Sequence, residues 1–193
     1  NQAFMELLKT CCLCNRAAFD QSTITLPIPQ RKVVGDASDT ALLLFSEDLV
    51  RTNEFRARYQ KLAEIPFNSK NKWMLSIYSE PSNSTRAGQA CLMMKGAPEM
   101  ILARCTTIMM EDGKEVKLTD DMRETIAQEQ EALSEKGERV LGLSCTYLDR
   151  DQYPPTYHFD TEERNFPMEG LCFVGLVALI DPPREDVPEA IRQ

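Results

Sequence analysis

The sequence predicts an α+β fold, a mostly antiparallel β-sheet with helices set against it. Three observations carry that prediction. Apolar residues recur at helical spacing through the first part of the chain. From about residue 63 the pattern changes to alternating and continuous apolar runs between turn residues. The run TTIMM, EDGK, EVKL then carries the Asp-Gly signal of a hairpin, which joins antiparallel neighbours.

Each element follows from local pattern. Phe4, Leu7, Leu8, Cys11 and Ala18 fall at helical spacing, so residues 3–18 are expected to form an amphipathic helix. Thr23 to Val34 contains prolines and reads as extended. GDASDTALLLFSEDL starts a second helix, with Asp36 as N-cap and Asp39 in the capping-box position. Phe55, Tyr59 and Leu62 suggest a third helix behind the cap Asn53. AEIPFN and KWMLSIYSE are strands flanking the turn NSKN; Trp73, Leu75 and Ile77 face one way, Lys72, Met74 and Ser76 the other. Pro81 to Gln89 is a loop, and ACLMMK is a strand with Cys91, Met93 and Lys95 on one face. In KGAPEMILARC behind it, Gly96 permits a tight turn or close approach of a ligand, and Pro98 suits the first position of a helix. Glu99 sits in the first turn, and Met100, Ile101 and Leu102 continue that helix. After the hairpin, Thr119 caps a helix from Asp120 to about Lys136, with Gly137 past its end. RVLGLSCTYL is a strand followed by a Tyr/Pro-rich loop, and FVGLVALI is a buried strand that DPPR breaks. There are no internal repeats.

The totals narrow the function classes. At 193 residues the chain has ample length for a real core. A net charge of −8 argues against binding a nucleic-acid backbone, which needs basic clusters. The apolar run Leu171 to Ile180 is too short to span a bilayer, and the first residues show no signal-peptide pattern. Seven cysteines in a chain with this much core material point to a reducing, cytosolic setting rather than a disulfide framework. The chain does not begin with methionine and stops as a new helix starts, as expected of a piece of something larger.

The common chemical motifs are absent. No Walker A loop occurs, because Leu143 follows GERVLG where a lysine is required, and no G-x-G-x-x-G occurs either. Cys11 and Cys14 form one C-x-x-C without a second pair, so they read as small buried hydrophobes and no metal site is expected. The single histidine, His158, lies in a Pro-rich loop and is expected to be exposed, which leaves no support for a Ser-His-Asp mechanism. Phe67, Lys72, Lys95 and Arg139 are the residues that could build a nucleotide pocket. An adenine ring wants an aromatic face, and a triphosphate wants lysine and arginine donors. Each also has a plain reading: core packing for Phe67, and a solvated surface charge for each lysine. The lysine on the turn before Pro98 stands beside free helix N–H groups, where an anion could be held, but a structural cap looks similar.

Taken together, GDASDTALL, EIPFNSKNKWMLSI, MMKGAPEMILARC, GERVLGLS and NFPMEGLCFVGLVALIDPPR resemble, in this order, segments of P-type cation-pumping ATPases. The likeness is nearest to the sodium/potassium and proton/potassium pump α subunits, and it covers nearly the whole chain. It implies the cytosolic nucleotide-binding domain over residues 1–180, a twisted antiparallel sheet flanked by helices. Residues 181–193 would be the hinge and the start of the phosphorylation domain, with Asp181 and Arg184 at the hinge. By the same resemblance Phe67 would stack on adenine, and Lys72 and Lys95 would line the ATP pocket. Gly96 and Ala97 would let the ligand approach the backbone. Arg139 would reach the phosphates, with Asp36, Ser38 and Asp39 at the rim or the adenine edge.

The expected ligand is ATP, with Mg held mainly outside this piece. The expected partners are the phosphorylation and actuator domains of the same parent and a β subunit. The parent would work at the plasma membrane, with this domain on its cytoplasmic side. The Asp-Lys-Thr-Gly-Thr and Gly-Asp-Gly-x-Asn-Asp motifs of the family do not occur in this sequence, so the piece is expected to bind ATP without hydrolysing it. Asp39 stands where the family usually has glutamate, Met74 where a polar residue is common, Met100 in place of arginine and Ser144 in place of cysteine. Asp39, Met74 and Met100 keep open an alternative, a decayed domain that acts mainly as an interaction module.

Overall fold

Two layers of helix enclose the sheet, one on each face. A computed structural model describes residues 1–180, so Asp181, Arg184 and the 181–193 segment lie outside the described residues. The elements are α1 (Gln2–Leu13), β1 (Ala18–Phe19), β2 (Val33–Val34), α2 (Ala37–Glu47), α3 (Thr52–Arg56), β3 (Gln60–Ile65), β4 (Trp73–Ser79) and β5 (Ala90–Gly96). They continue with α4 (Pro98–Leu102), β6 (Cys105–Met109), β7 (Glu115–Lys117), α5 (Asp120–Glu135), β8 (Arg139–Tyr147) and β9 (Leu171–Leu179). Seven strands form one sheet in the order β3-β4-β5-β8-β9-β6-β7, and β1 pairs with β2 in a separate small sheet. Every pairing in the large sheet is antiparallel except β6 with β9. The α+β expectation therefore holds.

Both faces of β4 are buried, which simple alternation did not reveal. Trp73, Leu75 and Ile77 pack with Leu92, Met94, Ile101 and Leu102 on the side covered by α4 and α5. Met74 and Tyr78 pack on the other side with Leu8, Cys11 and Cys12 of α1 and Leu42 of α2. Burying a Met or Leu side chain contributes about 1.5–3 kcal/mol, so packing on the second face also stabilises the sheet. Ser76 is buried there as well, while Lys72 lies before the strand.

Several boundaries move for identifiable reasons. The first helix ends at Leu13 rather than residue 18, because the Asn15 side-chain amide donates to the Cys11 carbonyl (3.1 Å) and to the Asp39 carbonyl (3.0 Å). Ala18 and Phe19 then pair with Val34 and Val33. The Thr23–Val34 stretch contains a 3₁₀ turn at Ile28–Gln30 as well as β2. The third helix is only Thr52–Arg56, and Asn53 is inside it. Its N-terminus is capped from α2, where Glu47 accepts from the Thr52 N–H (2.8 Å) and hydroxyl (2.6 Å). Tyr59 follows the helix and Leu62 belongs to β3, which Pro66 prevents from extending to Asn68. Strand β9 begins at Leu171, and only its first four residues are buried.

The Asp36 and Thr119 caps agree with expectation, whereas Asp39 completes no capping box because its carboxylate is held by Lys95 and the Arg16 N–H. Asp36 accepts from the Asp39 N–H (2.8 Å), and Thr119 accepts from the Met122 N–H (3.3 Å). Gly113 and Gly137 take φ +84° and +79°, as the hairpin turn and the helix end require.

The buried charges of α1 were not foreseen. Glu6 and Lys9 lie under the helix, while Phe4 remains 41% exposed. Lys9 donates to Glu80 (3.0 Å) and to the Tyr147 hydroxyl (2.5 Å), and it pairs with Glu6 (2.5 Å). Tyr147 donates to Glu6 (2.8 Å), so this cluster fastens α1 to the sheet by satisfied polar contacts.

Candidate functional site

At one end of the sheet, the termini of β5 and β8 meet the β3–β4 turn and the start of α2. The turn is made locally. Asn68 accepts from the Asn71 N–H through its side chain (2.7 Å) and from the Lys72 N–H through its carbonyl (2.9 Å). That geometry holds Lys72 in the left-handed region at φ 58°, an uncommon conformation for a non-glycine residue. The Lys72 carbonyl then accepts from the Ala97 N–H (2.9 Å), fastening the turn to the end of β5.

Gly96 is required by this junction. A Cβ at Gly96 would lie 2.3 Å from the Lys72 carbonyl oxygen and 2.7 Å from the Trp73 Cα. The sequence reading left a choice between a tight turn and close approach of a ligand; the protein's own backbone already demands the glycine. Behind it, Pro98 opens α4 as expected, and Gly142 lets that helix sit against β8.

These elements bound a cavity of about 490 Å³, within the range of small-molecule sites. Phe67, Lys72, Lys95, Gly96, Ala97, Arg139, Asp36, Ser38 and Asp39 all line it. Three further residues, Ala37, Val140 and Leu141, complete the wall. They sit next to named residues in the chain, but small and branched apolar residues carry no signal that separates a cleft wall from a core.

The lining residues differ in availability. Phe67 keeps 56% of its surface exposed, so it is not packed into the core, and an aromatic face stands open in the cleft. Lys72 and Arg139 are also exposed, and Arg139 donates to the Ser38 hydroxyl (3.2 Å). Lys95 behaves otherwise. It is 5% exposed, and its ammonium pairs with Asp39, itself 4% exposed. The other Asp39 oxygen accepts from the Arg16 N–H (2.7 Å). Asp39 thus lines the cleft without standing free at its rim. The pair ties the start of α2, the segment after α1 and the end of β5 to one another.

Burial holds the nearby thiols in their neutral form. Burial pushes Cys14 up to about 11 and Cys11 up to about 12, although Lys95 pulls both the other way. All seven cysteines are buried, Cys11 and Cys14 in agreement with their reading as small hydrophobes. Among the described residues no group of three or more His, Cys, Asp or Glu side chains could hold a metal ion. His158 is exposed in its loop. No helix among the described residues is long and apolar enough to cross a membrane.

Comparison with known proteins gives a consistent result. The family described as "P-type ATPase, cytoplasmic domain N" matches residues 3–186. The potassium-transporting ATPase alpha chain 1 of Xenopus laevis is 46% identical over 99% of this chain, and alpha chain 2 of Oryctolagus cuniculus is 50% identical over 96%. The sodium/potassium-transporting ATPase subunit alpha-1 of Catostomus commersonii is 46% identical over 99% of the chain. The chain spans only 17–18% of the length of these relatives. It belongs to the P-type ATPase cytoplasmic domain N family.

Proposed function

We propose that this chain is the ATP-binding domain of a P-type pump of the sodium/potassium or proton/potassium type. It would hold ATP so that the γ-phosphate reaches an aspartate in a neighbouring domain outside this chain. The observation that carries the reading is convergence: an exposed aromatic ring and two exposed cations share one cleft of about 490 Å³. The pump relatives, whose names specify potassium or sodium/potassium transport, support the parent activity.

In this reading Phe67 offers its open face to the base, a contact worth about 1–3 kcal/mol by analogy with base–aromatic stacking. Lys72 and Arg139 donate to the phosphates, and charge-assisted bonds of this kind are the strong ones. Ala37, Ala97, Val140 and Leu141 exclude water along the base and sugar. The Asp39–Lys95 pair holds opposite walls in register instead of supplying two free charges. No carboxylate cluster for magnesium exists among the described residues, so the metal would arrive on the phosphates and take its protein ligands from elsewhere in the parent. Asp181 and Arg184 would belong to the hinge joining residues 1–180 to the phosphorylation domain. The actuator domain and a β subunit would be further partners, with this domain on the cytoplasmic side of the plasma membrane.

The test is ATP titration followed by NMR shifts and calorimetry, on the wild type and on Phe67→Ala. Saturable binding without hydrolysis is expected, weakened roughly 5- to 150-fold by the substitution. Unchanged affinity in Phe67→Ala would remove the stacking assignment. No ATP-dependent rise in melting temperature would instead favour a domain that serves only as an interaction module.

A further inference from the structure

We propose that Cys91 and Cys145 form an oxidation site, a dithiol that a peroxide converts to a reversible disulfide joining β5 to β8. The pair is separate from the cleft: it lies toward the other ends of these strands from Gly96 and Arg139. The two sulfurs stand 3.2 Å apart. A further approach of about 1 Å reaches the disulfide bond length of about 2.05 Å. Cys91 is opposite Tyr147 and Cys145 is opposite Met93, so the two are diagonal neighbours on the sheet face that α1 covers. Among the described residues no other two thiols hydrogen-bond one another, although all seven cysteines are free.

The surroundings supply what a dithiol needs to react. Cys145 donates to Glu6 Oε2 at 3.3 Å, which leaves its sulfur to accept from Cys91. Glu6 is paired with Lys9 at 2.5 Å, so a proton leaving Cys145 has an acceptor and the thiolate has an ammonium close by. The hydrogen bond with Cys91 and burial hold Cys145 well above the ordinary thiol value, with Lys9 pulling the other way, so the pair rests reduced. Cys91 and Cys145 are 1% and 0% exposed, and peroxide enters when α1 lifts locally from the sheet.

The reaction balances with peroxide as the oxidant. Cys145 passes its proton to Glu6 and attacks one peroxide oxygen; the S–O bond forms, the O–O bond breaks, and the departing oxygen takes the proton from Glu6 and leaves as water. The Cys91 sulfur then attacks the sulfenic sulfur. The S–S bond forms, the S–O bond breaks, and the hydroxyl leaves with the Cys91 proton as a second water. Two electrons pass from the two sulfurs to the peroxide. A dithiol reductant reverses the bond by exchange.

The experiment treats the folded full chain with hydrogen peroxide, alkylates it in denaturant, and maps the digest by mass spectrometry. Oxidation of Met5 and Met110, 50% and 42% exposed, reports that the dose was sufficient. Two of the seven thiols should escape alkylation. They should appear in one linked peptide joining Cys91 to Cys145, about 2 Da lighter than the two reduced peptides together. Dithiothreitol should restore all seven to alkylation. Cys91→Ala and Cys145→Ala should each abolish the link, and the wild-type map decides the assignment even where a variant fails to fold. Full alkylation of Cys91 and Cys145 at a dose that oxidises both methionines would overturn the proposal. So would their recovery as separate oxygenated thiols, or a wild-type disulfide that pairs other cysteines instead.

Discussion

Replacing Lys95 with methionine tests the strut across the cleft. Asp39 and Lys95 are 4% and 5% exposed, and Asp39 is the one partner of the Lys95 ammonium among the described residues. Lys95→Met keeps most of the apolar stem volume and removes the charge. It leaves Asp39 buried with only the Arg16 N–H to offset its desolvation. Breaking a buried pair from one side costs about 3–5 kcal/mol. For a domain of this size that corresponds to a fall in melting temperature of about 6–20 °C. Urea unfolding, read as a shift in midpoint at constant slope, measures the loss directly. The double variant Lys95→Met with Asp39→Leu removes both charges and should regain most of the stability, giving a large coupling energy. A single-variant loss below about 1 kcal/mol, the range of exposed pairs, would refute the claim that this contact is buried and structural.

Gly96 and Glu6 give two further outcomes. Gly96→Ala places a methyl within 2.3 Å of the Lys72 carbonyl, so the β3–β4 turn and the end of β5 must separate. We expect a loss of about 1–3 kcal/mol in urea unfolding, with NMR shifts concentrated between Phe67 and Ala97. Glu6 supplies a pH dependence. Burial alone would raise its carboxyl, but the Lys9 charge and hydrogen bonds from Lys9, Tyr147 and Cys145 outweigh it and hold the group below its ordinary value of 4.5. A lowered folded value means that its contribution is complete above pH 4.5 and is lost as pH falls through the lowered value. Glu6→Gln should therefore flatten the acid side of the stability profile, and an acid limb identical to the wild type's would contradict the assignment.

Much of the fold was legible because the deciding interactions are local. The Asp36 and Thr119 caps, Pro98 at a helix start and the Asp-Gly hairpin each need only a few neighbouring residues, and each stands where the sequence pointed. Errors arose where distant partners overrode local pattern. Asn15 and Asp39 end α1 early, Glu47 replaces the expected Asn53 cap, and α1 turns Glu6 and Lys9 inward because Glu80 and Tyr147 receive them. In the cleft, motif resemblance named nine residues that line one cavity, yet it could not tell which of their charges are open.

By itself, then, the sequence determined the class of fold, the order of its turns and caps, and membership of a family with a recognisable set of cleft residues. The tertiary structure alone decided that both sheet faces are covered, that Gly96 serves a backbone junction, and that Lys95 is paired while Phe67 is open. The physical reason is range. Capping and alternation act over a few residues, whereas Asp39 and Lys95 are 56 positions apart. Desolvation and ion pairing at such separations are set only once the sheet brings the two together.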